Sequence, residues 1–532
     1  MSTLLNSLNQ PQKEAVLSTE GPLLVVAGAG SGKTKVLTSR IAYLISEKGV
    51  KPENILAVTF TNKAANEMKE RVFKLVGSGL NGFNIGTFHS ICVRMLREHA
   101  ELAGYKKNFI IFDDDDQKSL IKTILKELNI DAEKFKPSVL QGRISTLKNS
   151  LKTSEEFEKE ASDYFQKTLL SVYEKYQKGL REQNAVDFDD IIMLVVRLLK
   201  NHKEILEKYQ EKYKYILVDE YQDTNSAQYN LIKMLAAKHK NICVVGDSDQ
   251  SIYSWRDADY TNILNFEKDY PNAQVVVLEE NYRSTQNILN AANDIIKKNK
   301  TRKEKSLFTK NEKGAKINVI LASSEKKEAE FIAKTVKETA KKENRKLSDF
   351  VVLYRTNAQS RAVEEEFMKA NLPYKIIGGF KFYQRKEVKD IIGYLRYIYN
   401  ESDIASFKRI VNTPARGIGK KALENYFQKG EISKNLTGFF EIMKNLKELA
   451  DSLPLSKLIK EIGRKSGIEK DLNDGTEEGK TKWENVLELV SVASIYDSRP
   501  DAIPEFLENV SLVSDVDELD VQKPAVNLMT MH

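Results

Sequence analysis

The chain has 532 residues, and at roughly 100–200 residues per domain it calls for three to five units rather than one core. Hydrophobic residues make up 41% and charged residues 30%, an ordinary globular composition, and the formal net charge of +7 suits a polyanionic partner without singling one out. Two widely spaced cysteines, Cys92 and Cys243, argue against a disulfide framework or a zinc site, and a polar N-terminus with no run of about 18 apolar residues argues against a membrane, so a reducing cytosol is the expected setting.

In chain order, Leu23 to Ala27 has the pattern of a buried strand, followed by a Gly-rich turn and a helix through Ile45. Ile55 to Phe60 predicts a second strand and Ala64 to Val76 a second helix, a βαβα rhythm that implies a parallel sheet covered on both faces. From Asp113 to Ala185 the chain is Lys/Glu-rich, helical in period and without a strand run, which reads as an insertion; the acids Asp113 to Asp116 at its start suit a helix N-terminus. Strands resume at Tyr215–Val218, Ile242–Val245 and Val275–Leu278. A second α/β set follows, with strands at Ile317–Leu321 and Phe350–Tyr354 around a helix from Lys326 to Lys341. Residues 378–523 are again mainly helical, and Ala525 to Met529 predicts a strand returning to the second sheet.

The strongest motif is Ala27-Gly28-Ala29-Gly30-Ser31-Gly32-Lys33-Thr34, between a predicted strand and helix. Small residues let the backbone curl so that successive N–H groups face phosphate oxygens, and the helix N-terminus adds its positive dipole end. Lys33 would reach the β and γ phosphates and the Thr34 hydroxyl would ligate Mg²⁺. Such a loop needs an acidic partner on a neighbouring strand. Tyr215-Ile216-Leu217-Val218-Asp219-Glu220 supplies one, with Asp219 for Mg²⁺ and Glu220 for the attacking water. Gln250, after the strand that ends at Gly246-Asp247, would contact the γ-phosphate or the water.

The ordered set of motifs resembles the UvrD/Rep/PcrA family of superfamily 1A DNA helicases. Asp219-Glu220-Tyr221-Gln222-Asp223 and Gly246 to Arg256 are similar to its motifs II and III, and Leu8-Asn9-Gln10-Pro11-Gln12 to its Q motif. Thr59 to Ala65 resembles motif Ia, Thr87-Phe88-His89-Ser90 the next DNA-contacting segment, and Asn281-Tyr282-Arg283-Ser284 motif IV. Asn184 to Asp190 closes the first insertion as in the family, and Tyr354 to Arg361 resembles the motif after IV. The resemblance implies an α/β fold of two RecA-like parallel-sheet P-loop lobes, the second incomplete, each with a mainly helical insertion. The lobes are expected at 1–112 with 186–279 and at 280–377 with 524–532, the insertions at 113–185 and 378–523.

The resemblance also implies roles. ATP and Mg²⁺ are the expected cofactors. Gln12 would read adenine, since an amide both donates and accepts. Tyr282 would stack on the base opposite Lys35, and Arg283 would act as an arginine finger. On the DNA track, Phe60, Phe188, Tyr253 and Trp255 occupy positions where the family stacks bases, although any one of them alone would read as core. Thr59, Asn62, Thr87, His89, Arg256, Arg355 and Asn357 are further candidates for DNA contact, with Lys381 near the hinge of the second insertion; His89 alone would read as structural. Arg416, Gly417 and Gly419 lie in Thr413 to Lys420, similar to the family's duplex-contacting loop.

Three departures stand out. Asp257 replaces the usual Gly after Trp255-Arg256, Glu280 replaces a Gln, and the chain ends at the strand that begins motif V, before motif VI and its second arginine finger. The expectation is a C-terminally truncated 3′–5′ helicase of repair or replication, cytoplasmic and nucleoid-associated, monomer or weak dimer, acting on single-stranded DNA and junctions beside repair proteins. Two alternatives stay open: an ATP- and DNA-binding fragment without motor activity, and the helicase part of a helicase–nuclease.

Overall fold

The structure is a computed structural model that describes residues 3–77, 82–254, 257–300, 302–377, 382–512 and 524–531. The chain divides into two compact units, each built from separate stretches: Met1–Ile91 with Val196–Gly379 and Ser514–His532, and Cys92–Val195 with Phe380–Val513. The strands among the described residues are β1 Leu23–Ala27, β2 Ile55–Thr59, β3 Asn84–Thr87, β4 Ile110–Ile111, β5 Ala185–Val186, β6 Tyr215–Val218, β7 Ile242–Gly246, β8 Gln274–Leu278, β9 Val351–Tyr354, β10 Tyr374–Ile376 and β11 Val526–Thr530.

The first unit holds two parallel sheets. The larger runs β3-β2-β6-β7-β1-β8. Its central strands are apolar without alternation because both faces are covered: every residue of β1, β2 and β7 is buried. The helix Lys33–Ser46 presses Val36, Leu37, Ile41 and Leu44 into the core. Its neighbour Asn62–Val76 is capped by the Thr61 side chain, which accepts from the Ala64 N–H, and stops at Gly77. The smaller sheet runs β10-β11-β9 in parallel, with β11 in the middle, so the strand expected to return to the second sheet does so.

One expected strand is absent. Ile317–Leu321 forms no ladder with any described residue, and Val319 is 83% and Leu321 96% exposed. An apolar run becomes a strand only where a neighbour satisfies its N–H and C=O groups, and none of the described segments flanks it.

The second unit is helical around two apolar clusters, one centred on Ile121, Leu140 and Val172 and one on Ile391, Leu395 and Leu458. A parallel ribbon of β4 and β5 pairs Ile110 with Ala185 and Ile111 with Val186, an element of two residues per strand that is too short to show a period in sequence. Asp113 caps the helix Asp114–Glu127 in a reciprocal box with Asp116, as its acidic start predicts. The same acids also meet cations far along the chain: Lys389 Nζ lies 2.8 Å from both Asp113 and Asp115, and Arg396 joins Asp116 at 2.6 Å to Asp403 at 3.0 Å. No helix among the described residues is long and apolar enough to cross a membrane.

Lys148 is wholly buried, its ammonium 2.6 Å from Asp187 and 2.8 Å from Asp190. The Tyr176 hydroxyl donates to the same Asp187 carboxylate. Removing the cation strands two buried carboxylates, so Lys148→Met is expected to cost about 3–5 kcal/mol in denaturant unfolding at neutral pH. Burial, then the Asp187 charge, pushes the Asp190 carboxyl up to about 6. A raised carboxyl pKa means that the folded state holds the proton more tightly than the unfolded one, so acid favours the fold at this group. The Lys148 charge holds this carboxyl down, so its loss raises the value further, and the deficit of Lys148→Met is expected to shrink as the pH falls toward about 6.

Candidate active site

The site lies at the carboxyl ends of β1, β6 and β7, which are neighbours in the order β6-β7-β1. The loop after β1 turns on Gly30 (φ +67) and Gly32 (φ +90), the left-handed region that a side chain resists. Both are also crowded. A Cβ on Gly30 would lie 2.7 Å from Arg283 Cβ and from Asn281 Nδ2, and one on Gly32 would lie 2.8 Å from Gln12 Nε2. Ser31 ties the loop to itself, its hydroxyl donating to Gly28 O at 2.7 Å.

Lys33 opens the following helix and donates to Glu220 Oε2 at 2.8 Å and Gln250 Oε1 at 3.2 Å. Glu220 has a left-handed backbone (φ +49), an uncommon conformation for a side chain of this size, as the chain leaves β6. Asp219 is buried beside it and accepts from the Glu220 N–H at 3.0 Å. Burial, helped by the Glu220 charge and opposed by Lys33, pushes the Asp219 carboxyl up to about 7. Asp223 is raised to about 7 in the same way, by burial and then by Glu220. Thr34, half-buried in the first turn of the helix, completes the predicted phosphate set.

The motif IV segment docks directly on the loop. Asn281 Nδ2 donates to Ala29 O at 2.5 Å, and the Tyr282 N–H donates to Gly30 O at 2.9 Å. Asn281 Oδ1 in turn accepts from the Arg283 and Ser284 N–H groups at 2.9 and 2.7 Å, which fixes the backbone that carries Arg283. The sequence reading gave Asn281 no role. Its buried amide is what joins the two motifs.

The base-binding candidates are differently placed. Gln12 is buried, its amide donating to Ser31 O at 2.9 Å and accepting from the Asn9 N–H at 3.1 Å. In this arrangement it braces the loop, and reading a base would require exchange of one of these bonds. Tyr282 is exposed, with its hydroxyl accepting from Asn9 Nδ2 at 2.8 Å, while Lys35 Nζ turns to Ser7 O at 2.5 Å. Glu280 pairs with Lys310 at 2.9 Å.

Of the DNA candidates, Thr59 and Thr87 are brought together at the ends of β2 and β3, where they are register partners. Both are buried, and the Thr87 hydroxyl accepts from the Ser90 N–H, so it shapes the turn into the next helix. Phe60 follows Thr59 and packs on Phe88, ring centroids 5.6 Å apart. Asn62 and His89 follow these strand ends in sequence, Tyr253 follows β7, and all three belong to the same unit, as do Arg355 and Asn357, both exposed after β9. Phe188 belongs to the second unit, half-buried at the start of the helix Phe188–Asn201. Trp255, Arg256 and Lys381 lie outside the described residues.

Arg416 is held within its own loop. Its guanidinium is turned inward, Nη1 donating to Ile410 O and Thr413 O at 3.0 and 2.9 Å and Nη2 to Tyr394 Oη and Ser466 O at 2.7 Å. In this arrangement the cation braces the loop, and reaching a phosphate would require exchange of some of these bonds. Gly417 (φ +70) and Gly419 remain exposed on that loop, directly before the helix Lys420–Lys429.

Asp257 keeps a left-handed backbone (φ +59), the geometry a Gly would supply at no cost. Asp257→Gly is expected to stabilise the chain by no more than about 1 kcal/mol, read as a small rise in Tm, and to tighten single-stranded DNA binding modestly by removing a negative charge.

Residues 8–271 match the model of the UvrD/Rep helicase N-terminal domain, and residues 276–532 that of the UvrD-like helicase C-terminal domain. The chain belongs to the UvrD/Rep family of helicases. It is 49% identical over 558 aligned residues to a protein of Staphylococcus aureus named ATP-dependent DNA helicase PcrA, and 49% identical over 559 to one of the same name from Staphylococcus epidermidis. Each comparison covers all of this chain and 76% of the relative.

Proposed function

We propose that the chain is an ATP-driven motor that steps 3′ to 5′ along single-stranded DNA and separates duplex at junctions, in repair or replication on nucleoid DNA. The observation that carries this is the seating of Asn281 to Arg283 on a phosphate loop whose Lys33 already meets Glu220 and Gln250. A loop that only stored nucleotide would need no arginine-bearing segment clamped to it. When the triphosphate enters, Lys33 exchanges its carboxylate partner for phosphate oxygen, and Glu220 is left to polarise the attacking water. Arg283 meets the charge that develops on the γ-phosphate, which ties hydrolysis to the position of its segment. DNA would run past Phe60, Thr87 and His89 at the ends of β2 and β3. We keep the division into lobes at 1–112 with 186–279 and 280–377 with 524–532, carrying insertions at 113–185 and 378–523.

Magnesium fits the site. Thr34 and the buried Asp219 offer two hard oxygen donors, and no group of three or more His, Cys, Asp or Glu able to hold a metal occurs among the described residues. That suits an ion held largely by nucleotide and water. When bound, it neutralises charge on the β and γ phosphates.

The test is ATP turnover of the 532-residue chain with and without single-stranded DNA, together with unwinding of duplexes carrying a 3′ or a 5′ tail. Stimulation by DNA and a preference for the 3′ tail are expected. Unstimulated turnover with DNA binding intact would favour a binding module instead.

A further inference from the structure

We propose that Lys305 is a positioning residue for Gln250, and that it arrives at the site on the same ribbon as Arg283. This rests on the phosphate-site assignment above. The Lys305 side chain is only 3% exposed, and its Nζ lies 2.5 Å from Asp247 Oδ1 and 2.5 Å from Asp249 Oδ2. Arg302 reaches the same Asp249 oxygen at 3.2 Å. The second oxygen of Asp247 accepts from Gln250 Nε2 at 2.6 Å. A carboxylate only accepts, so it selects the NH₂ end of the amide and forces Gln250 Oε1 to face the other way. That oxygen meets Lys33 Nζ at 3.2 Å, and Lys33 meets Glu220 at 2.8 Å. The chain of contacts therefore runs Lys305, Asp247, Gln250, Lys33, Glu220.

Lys305 fixes the Asp247 carboxylate, the carboxylate fixes the amide, and the amide presents its carbonyl to the Lys33 ammonium that would serve the phosphate. Gln222 steadies the same strand end from the other side, its Oε1 accepting from the Asp247 N–H at 2.9 Å. The stretch that carries Lys305 is bonded to the stretch that carries Arg283: Phe308 N–H donates to Glu279 O at 3.1 Å and Asn281 N–H to Phe308 O at 2.8 Å. Leu307, between them, covers Gly28, where an added Cβ would lie 2.3 Å from its Cδ2. Seating this ribbon on the phosphate loop thus places Arg283 and orients Gln250 in one event.

The test measures binding of Mg²⁺ with a non-hydrolysable ATP analogue and with ADP, by calorimetry on the full chain. Lys305→Met is expected to weaken the triphosphate by about tenfold, the worth of one hydrogen bond to a charged group, and to leave ADP within about twofold. Lys305→Arg is expected to restore the preference for triphosphate. Adding Gln250→Ala to Lys305→Met is expected to cause no further loss, because both act through one amide. Asp249→Asn, which keeps the path from Lys305 through Asp247 to Gln250, is the folding control and is expected to retain the preference. Parallel weakening of both nucleotides, losses that multiply in the double variant, or failure of Arg to rescue would each overturn the proposal. No nucleotide binding by the unsubstituted chain would overturn the phosphate site itself, and this proposal with it.

Discussion

Lys33→Ala is expected to lower ATP turnover by at least two to three orders of magnitude, roughly 10²–10³, while leaving single-stranded DNA binding within a few-fold. The size follows from what the ammonium does at both stages. In the structure it is the cation that balances Glu220 and takes the Gln250 carbonyl, with Asp219 buried alongside. Without it, three acids, Asp219, Glu220 and Asp223, face one another, and the two that burial and Glu220 already raise to about 7 would hold their protons more firmly still. The triphosphate would then enter a site that has lost its main positive charge. Parallel measurements of turnover and of fluorescent oligonucleotide binding decide the matter. Equal turnover in parent and variant would remove the phosphate-site assignment.

Arg283→Ala is expected to remove roughly 10³–10⁵ of DNA-stimulated turnover with nucleotide affinity changed far less. Its backbone is held by Asn281 and seated on Gly30, so truncating the side chain leaves the docking intact and deletes only the charge. Asn281→Ala is the informative contrast. It removes the amide that joins Ala29 O to the Arg283 and Ser284 N–H groups, and it should affect nucleotide binding and turnover together. Single-turnover hydrolysis beside equilibrium binding separates the two. A fall in affinity for Arg283→Ala that matches its fall in rate would show a ground-state ligand instead of a finger.

Much of this site was legible because its chemistry is local in sequence. The phosphate loop between β1 and its helix, the Asp219-Glu220 pair ending β6 and the polar end of β7 each fit within a few consecutive residues, and the strands that place them are apolar runs with sharp ends. What escaped is long-range or conformational. Nothing in the neighbourhood of Lys305 marks it as the partner of Asp247, 58 residues away. Asn281 reads as one polar residue among four until its amide is seen between two backbones. Arg416 is placed by the resemblance of Thr413 to Lys420 to a duplex-contacting loop, and the direction of its guanidinium, set by the carbonyls of Ile410, Thr413 and Ser466, cannot be read from that resemblance. Ile317–Leu321 failed in the opposite sense: its pattern is that of a strand, but pairing is a property of neighbours.

The left-handed backbone at Glu220 has a consequence for the history open to this chain. A non-glycine residue held there is strained by about 1–2 kcal/mol, and Gly or Asn would relax it. Residue 220 is therefore a position where selection for heat resistance and selection for work pull in opposite directions. A library screened only for survival at high temperature should drift away from Glu at this site and accumulate well-folded, silent proteins, whereas a screen on turnover should hold Glu220 and look for stability elsewhere.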